Sequence, residues 1–223
     1  MLSTEQSIEK MSSQSISPEQ SYLLSQVHNY VIFYDWDKEL LINSIKNFKD
    51  AGHNINDKIR YIKLEKLFGL DREERWTPLQ IAIVYIFIYN INNNINNYNI
   101  NYYGIIKILL DNGSDINILD IKNNSLLHGC VISLNYNLLE YLLNNTNIDI
   151  NIKNDDNRNA FELCKYIQKH YSDMRGDNDY RKNFLENGIM TENELKDRLK
   201  QMRDLLYIKM LEKDLRIELL GIK

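Results

Sequence analysis

Apolar positions along this chain fall into short helical runs separated by polar turns. Ile105, Ile106, Leu109 and Leu110 recur at the spacing of one helix face, and Leu138, Leu139, Leu142 and Leu143 do the same further on. Ser17, Pro18 and Gln20 supply a cap, a first-turn proline and a capping-box partner, so a helix is predicted over 18–34. The acidic pair in Asp35-Trp36-Asp37 interrupts it. A second helix is predicted over 38–50, stopped by Gly52, which can take the left-handed conformation of a helix end. At the far end, Thr191 and Glu194 open a capping box. Leu195, Leu199, Met202, Leu206, Leu211, Leu215 and Leu219 then predict one long helix, roughly 40 Å at 1.5 Å per residue. Lys209 and Lys213 fall on its apolar seam, so the pattern is not a strict heptad.

The runs between these ends repeat. DINILDIKNNSLLHGC (115–130) aligns without a gap to DINIKNDDNRNAFELC (149–164) at an offset of 34 residues. Ser125 matches Asn159, His128 matches Glu162 and Cys130 matches Cys164. Upstream, TPLQIA (77–82) matches SLLHGC (125–130). Thr77, Ser125 and Asn159 are good helix caps, and Gln80, His128 and Glu162, three residues on, are polar groups able to reach back to them. Leu79, Ala82, Leu127, Cys130, Phe161 and Cys164 are then expected to face neighbouring helices. Gly113 suits the end of the helix containing Leu109. The next copy has Thr146 in that place, so Asn145 or Asn147 is expected to supply the left-handed residue.

The copies differ in length. Ser125 to Leu138 is 13 residues, but Thr77 to the equivalent Ile105 is 28. The tract NINNNINNYNIN (90–101), eight of whose twelve residues are Asn, lies in that excess and reads as a loop inserted between the two helices of one repeat. Such an insertion costs little, since each doubling of loop length adds only about 0.6 kcal/mol. Further insertions are expected near 57–70, part helical, and near 170–177.

These residues resemble the ankyrin repeat family, whose 33-residue period carries a T-P-L-H-x-A motif. The resemblance rests on TPLQIA (77–82), SLLHGC (125–130), NAFELC (159–164) and IIKILLDNGSDIN (105–117). It implies an all-α solenoid of stacked helix-turn-helix units, with about four helix pairs at 18–56, 71–118, 119–152 and 153–188. A disordered segment over 1–16 would precede the repeat domain at 17–188, and the long C-terminal helix within 189–223 would cap it. The resemblance also implies a non-catalytic protein-binding module that holds its partner in a concave groove and on the repeat turn tips. Carried over position by position, the contact residues are Glu74, Trp76 and Tyr85 in the second copy, Ile121, Lys122, Asn124 and Ser133 in the third, and Asp156, Arg158 and Tyr166 in the fourth. Joined to the Asn, Ile, Lys and Tyr bias, it implies a product of an intracellular bacterium or a large DNA virus, delivered to host cytosol to engage a host protein.

Composition narrows the alternatives. The chain has 223 residues, 43% hydrophobic, with 15 Tyr but only 8 Gly and 2 Pro, which favours helices over a turn-rich β-sandwich. A net charge of −4 offers no basic excess for nucleic acid. The polar N-terminus lacks the apolar core of a signal peptide, and the apolar run at 81–89 is too short to span a bilayer. Two cysteines, Cys130 and Cys164, provide no disulfide framework and suit a reducing, cytoplasmic setting. His28, His53 and His170 share no metal-ligand spacing with Cys or acids, and no cofactor is expected. His128 reads as structural. The chain is expected to be a monomer. Two rival readings remain open: an enzyme with a site hidden in the insertions or the C-terminal segment, and a scaffold that homodimerises through the long helix.

Overall fold

A computed structural model describes residues 27, 38–60, 75–82, 102–120, 122–173, 185–186 and 190–220. The predicted disordered segment 1–16, most of the predicted helix at 18–34 and the Asn-rich tract lie outside these. The chain forms two compact units, Met1–Pro78 and Leu79–Lys223. Among the described residues the fold is all-α but for one two-residue strand pairing.

In the first unit, α1 (Lys38–Asp50) buries Leu41, Ile45 and Phe48 on one face. It ends as Gly52 predicts. Gly52 has φ +83, its N–H donates to Lys49 O at 2.9 Å, and His53 N–H donates to Phe48 O at 3.3 Å. The rings of Phe48 and His53 then meet at 5.0 Å, tilted by 36°, the contact that accompanies this type of helix end. The excursion that follows opens and closes on an antiparallel pair, β1 (Ile59–Arg60) with β2 (Arg75–Trp76). This pairing joins residues far apart in sequence and has no local signal.

The second unit begins with helical residues through Ala82, then α2 (Tyr102–Asp111), α3 (Leu126–Ile132), α4 (Tyr136–Asn145), α5 (Ala160–His170) and α6 (Glu192–Leu220). α3 packs on α4 and α5, and α6 packs on α5 and α4. Ile105, Ile106, Leu109, Leu138, Leu139 and Leu142 are core residues. Of the positions expected to face neighbours, Leu79, Ala82, Leu127, Cys130 and Cys164 are buried. Phe161 is half-buried and stacks on Tyr207 of α6 at 5.8 Å.

The 34-residue offset is reproduced bond for bond in the loops. Asp120 Oδ1 accepts from the N–H groups of Lys122 and Asn124; Asn154 Oδ1 accepts from those of Asp156 and Arg158. Asn123 and Asn157 are both left-handed, at φ 55 and 56, a conformation Asn tolerates better than most residues. Asn159 Oδ1 accepts from Glu162 N–H at 2.9 Å, and a Glu162 carboxylate oxygen accepts from Asn159 N–H at 2.9 Å, closing the expected capping box. α2 ends at Gly113, φ +94, through Gly113 N–H to Leu110 O and Ser114 N–H to Leu109 O.

The end of α4 departs from expectation. Neither Asn145 nor Asn147 is left-handed. Thr146 is extended, its hydroxyl donates to Leu142 O at 2.6 Å, and Asn145 Nδ2 donates to Tyr141 O at 3.0 Å. Side chains cap the last carbonyls, so no left-handed residue is needed there. A separate left-handed residue, Leu134 at φ 54, lies in the tight turn between α3 and α4.

Candidate protein-binding surface

α3 has no open face. Leu126, Leu127, His128, Gly129, Cys130 and Val131 are all buried, as in a helix enclosed on every side. Two sequence-predicted contact residues beside it are therefore interior. Ser133 is 4% exposed, and its hydroxyl donates to Gly129 O at 2.7 Å. Asn124 is 8% exposed; its Nδ2 donates to Asp120 Oδ2 at 3.0 Å and its Oδ1 accepts from Asn154 Nδ2 at 3.0 Å. Both side chains serve the loop–helix framework. Lys122 is exposed. Glu74, Tyr85 and Ile121 lie outside the described residues, as does the side chain of Trp76, whose backbone pairs in β2.

The three predicted residues of the fourth copy do come together. Asn154 pins the backbone of Asp156 and Arg158, and left-handed Asn157 between them turns the chain. Arg158 Nη1 donates to Asp156 Oδ2 at 2.9 Å, and its guanidinium carbon lies 3.8 Å from the centre of the Tyr166 ring. Tyr166 sits two turns into α5, and its ring meets His170 one turn further at 4.8 Å. An exposed ion pair contributes about 0–1 kcal/mol, and a guanidinium over an aromatic about 0.5–1 kcal/mol at such a site. Their effect is to hold a long side chain in one place. The sequence reading of His170 concerned metal-ligand spacing alone; its i, i+4 relation to Tyr166 is the signal for this contact.

This cluster is tied to the buried interior through His128. Ser125 N–H can only donate, and it lies 3.1 Å from His128 Nδ1. Nδ1 therefore accepts, and Nε2 carries the proton that is donated to Arg158 O at 2.8 Å. Burial pushes the His128 pKa down, against the Arg158 carbonyl and the Asp120 carboxylate, which raise it. A neutral imidazole thus links the start of α3 to the loop that carries Arg158. Gln80, the corresponding residue of the earlier copy, also donates from Nε2 to a backbone carbonyl of the following turn, that of Leu119, five residues before the carbonyl that would match Arg158.

The cysteines hold no reactive thiolate. Burial raises both, Cys164 to about 12 and Cys130 further, and both are unpaired. Cys164 Sγ donates to Leu199 O at 3.2 Å. Among the described residues no group of three or more His, Cys, Asp or Glu is placed to hold a metal, and no helix is long and apolar enough to cross a membrane. No protein-family model matches the chain, and no curated protein matches it.

Proposed function

We propose that the chain is an ankyrin-type solenoid whose role is to hold a partner protein, without catalysing a reaction. Support for the architecture comes from the 34-residue recurrence of caps, turns and left-handed residues, and from α3 packing on α5, its counterpart one offset later. On this reading α6 takes the place that the second helix of the last pair would fill, against α5 and α4.

The observation that carries the binding role is Arg158, held over Tyr166 by Asp156. Arg and Tyr are enriched among residues that dominate binding energy, and a side chain already held in place loses less entropy on docking. The partner surface is centred on Asp156, Arg158 and Tyr166, with His170 and Lys122 as neighbours. Host delivery, and a host protein as that partner, belong to the same reading.

The test is site-specific photo-crosslinking in host cytosol, with the reactive group at position 166 or, as control, at position 136 on α4. Position 166 should yield a discrete adduct that position 136 does not. Arg158→Ala should weaken its capture by about tenfold or more, a loss typical of a central contact, with circular dichroism unchanged. Equal adducts from both positions, or an adduct indifferent to Arg158→Ala, would reject this surface.

A second reading is favoured by α6 alone. Ile208, Leu211 and Leu215 are exposed at helical spacing, beside Tyr207. Self-association through this stripe predicts a mass that doubles with concentration in light scattering. A monomer at every dilution ends that reading.

A further inference from the structure

The chain contains two Asn–Gly pairs, Asn112–Gly113 and Asn187–Gly188. Such pairs lose the asparagine amide more readily than other sequences, because glycine has no side chain to shield its backbone nitrogen. The pair at 112–113 lies among the described residues, at the C-terminal end of α2. Gly113 is exposed, and no atom stands within 4 Å of where a Cβ would be. Water therefore reaches the pair. Whether it reacts depends on what holds its two reacting atoms apart.

Three hydrogen bonds do so. Asn112 Nδ2 donates to Ile108 O at 2.8 Å, which turns the side chain back over the preceding turn and away from the nitrogen of Gly113. Gly113 N–H donates to Leu110 O at 3.0 Å, so that nitrogen is occupied. Ser114 N–H donates to Leu109 O at 3.0 Å and fixes the chain just beyond the pair. All three close the last turn of a helix, where local opening costs least.

We propose that Asn112 is a deamidation site gated by the end of α2, and that its conversion is a one-way change. When the last turn opens, Gly113 N attacks Asn112 Cγ. The N–Cγ bond forms, the Cγ–Nδ2 bond breaks, and the amide nitrogen leaves as ammonia with the Gly113 proton. Water then opens the cyclic imide at one carbonyl or the other, leaving aspartate or isoaspartate at position 112. The closed end cannot re-form on either product. A carboxylate has no N–H to donate to Ile108 O, and it stands at the negative end of the helix dipole, between Asp111 and Asp115 in sequence. Lys107, one turn back, is already paired with Asp111 at 2.8 Å. Isoaspartate also lengthens the backbone by one carbon, which moves the N–H groups of Gly113 and Ser114 out of register with Leu110 O and Leu109 O. The site is independent of the Arg158 surface and does not rest on the function proposed for it.

The test follows conversion at position 112 by peptide mass spectrometry of the full chain at neutral pH, folded and in urea. In urea, Asn112 and Asn187 should convert at similar rates, since each precedes glycine. In the folded chain Asn112 should convert about ten- to a hundredfold more slowly, the lag of a turn that must open first. Leu109→Ala removes a buried anchor of that turn; it should speed conversion in the folded chain and leave the rate in urea unchanged. Asn112→Asp should lower the melting temperature by about 2–4 °C. The comparison of the parent chain with and without urea requires no variant to fold. The proposal is overturned if the folded chain converts as fast as the unfolded one, if it shows no conversion over about a hundred half-lives of the urea reaction, or if Asn112→Asp melts with the parent.

Discussion

Leu199→Ala should lower the free energy of unfolding by about 2–5 kcal/mol, the cost of opening a cavity in a well-packed core. Leu199 is fully buried on α6, in a stripe with Leu195, Met202 and Leu206, against α5 and α4. Its carbonyl accepts the Cys164 thiol, and Arg203 one turn later donates to Gln168 of α5 at 2.9 Å. Further along, Lys213, predicted to interrupt the apolar seam, reaches Asp149 at 3.0 Å. The near half of α6 is therefore part of the core. The far half is different: Leu215 is 58% exposed, and Leu215→Ala should stay within about 0.5 kcal/mol, as surface changes do. Urea unfolding of the two variants checks this contrast. A Leu199→Ala cost as small as that of Leu215→Ala would mean that α6 is not integral to the second unit.

Acidification from pH 7 toward pH 5 should erode stability through His128, and His128→Gln should remove that component. The imidazole is buried and neutral, with its pKa held below 6.5 mainly by burial. The unfolded chain takes up this proton at the ordinary pKa and the native protein only at lower pH. In the interval the unfolded state holds more protons, so stability is intact above pH 6.5 and falls as the pH drops toward the native pKa. A one-proton difference gives a slope of at most about 1.4 kcal/mol per pH unit. Protonation places a second N–H against Ser125 N–H, which has only Nδ1 to donate to in that pair. Glutamine is the apt replacement because Gln80, at the matching position of the earlier copy, likewise donates from Nε2 to a backbone carbonyl of the following turn, that of Leu119. Asp149, held low first by Asn151 N–H and then by Lys213, and Glu194, held low by Thr191, act only at or below the ordinary carboxylate range. The two windows are thus separable. Parallel stability–pH curves for parent and His128→Gln between pH 6.5 and 5 would show that His128 is not the titrating group.

The cluster at Arg158 shows how far a single chain of residues can be read. Asp156, Arg158 and Tyr166 were each picked out by position in the repeat, and the structure brings their side chains into contact. Asn124 and Ser133 were picked out by the same rule and lie inside. The pattern could not separate these cases. Nothing in the residues flanking α3 reports that the helix is enclosed on every side, because its covering comes from other parts of the chain. The β1–β2 pairing was invisible for the same reason, since its partners are 15 or more residues apart.

What the sequence determined by itself is whatever closes within one turn of backbone. The cap and partner at Asn159 and Glu162, the glycine ends at Gly52 and Gly113, the matched left-handed Asn123 and Asn157, and the span of α6 all depend on hydrogen bonds between residues at most five apart. Residue type alone governs such bonds. Tertiary structure decided which helix faces remained open and which charged and aromatic side chains meet. Those outcomes depend on where distant segments come to rest, and burial is a property of the whole packed unit rather than of any local stretch.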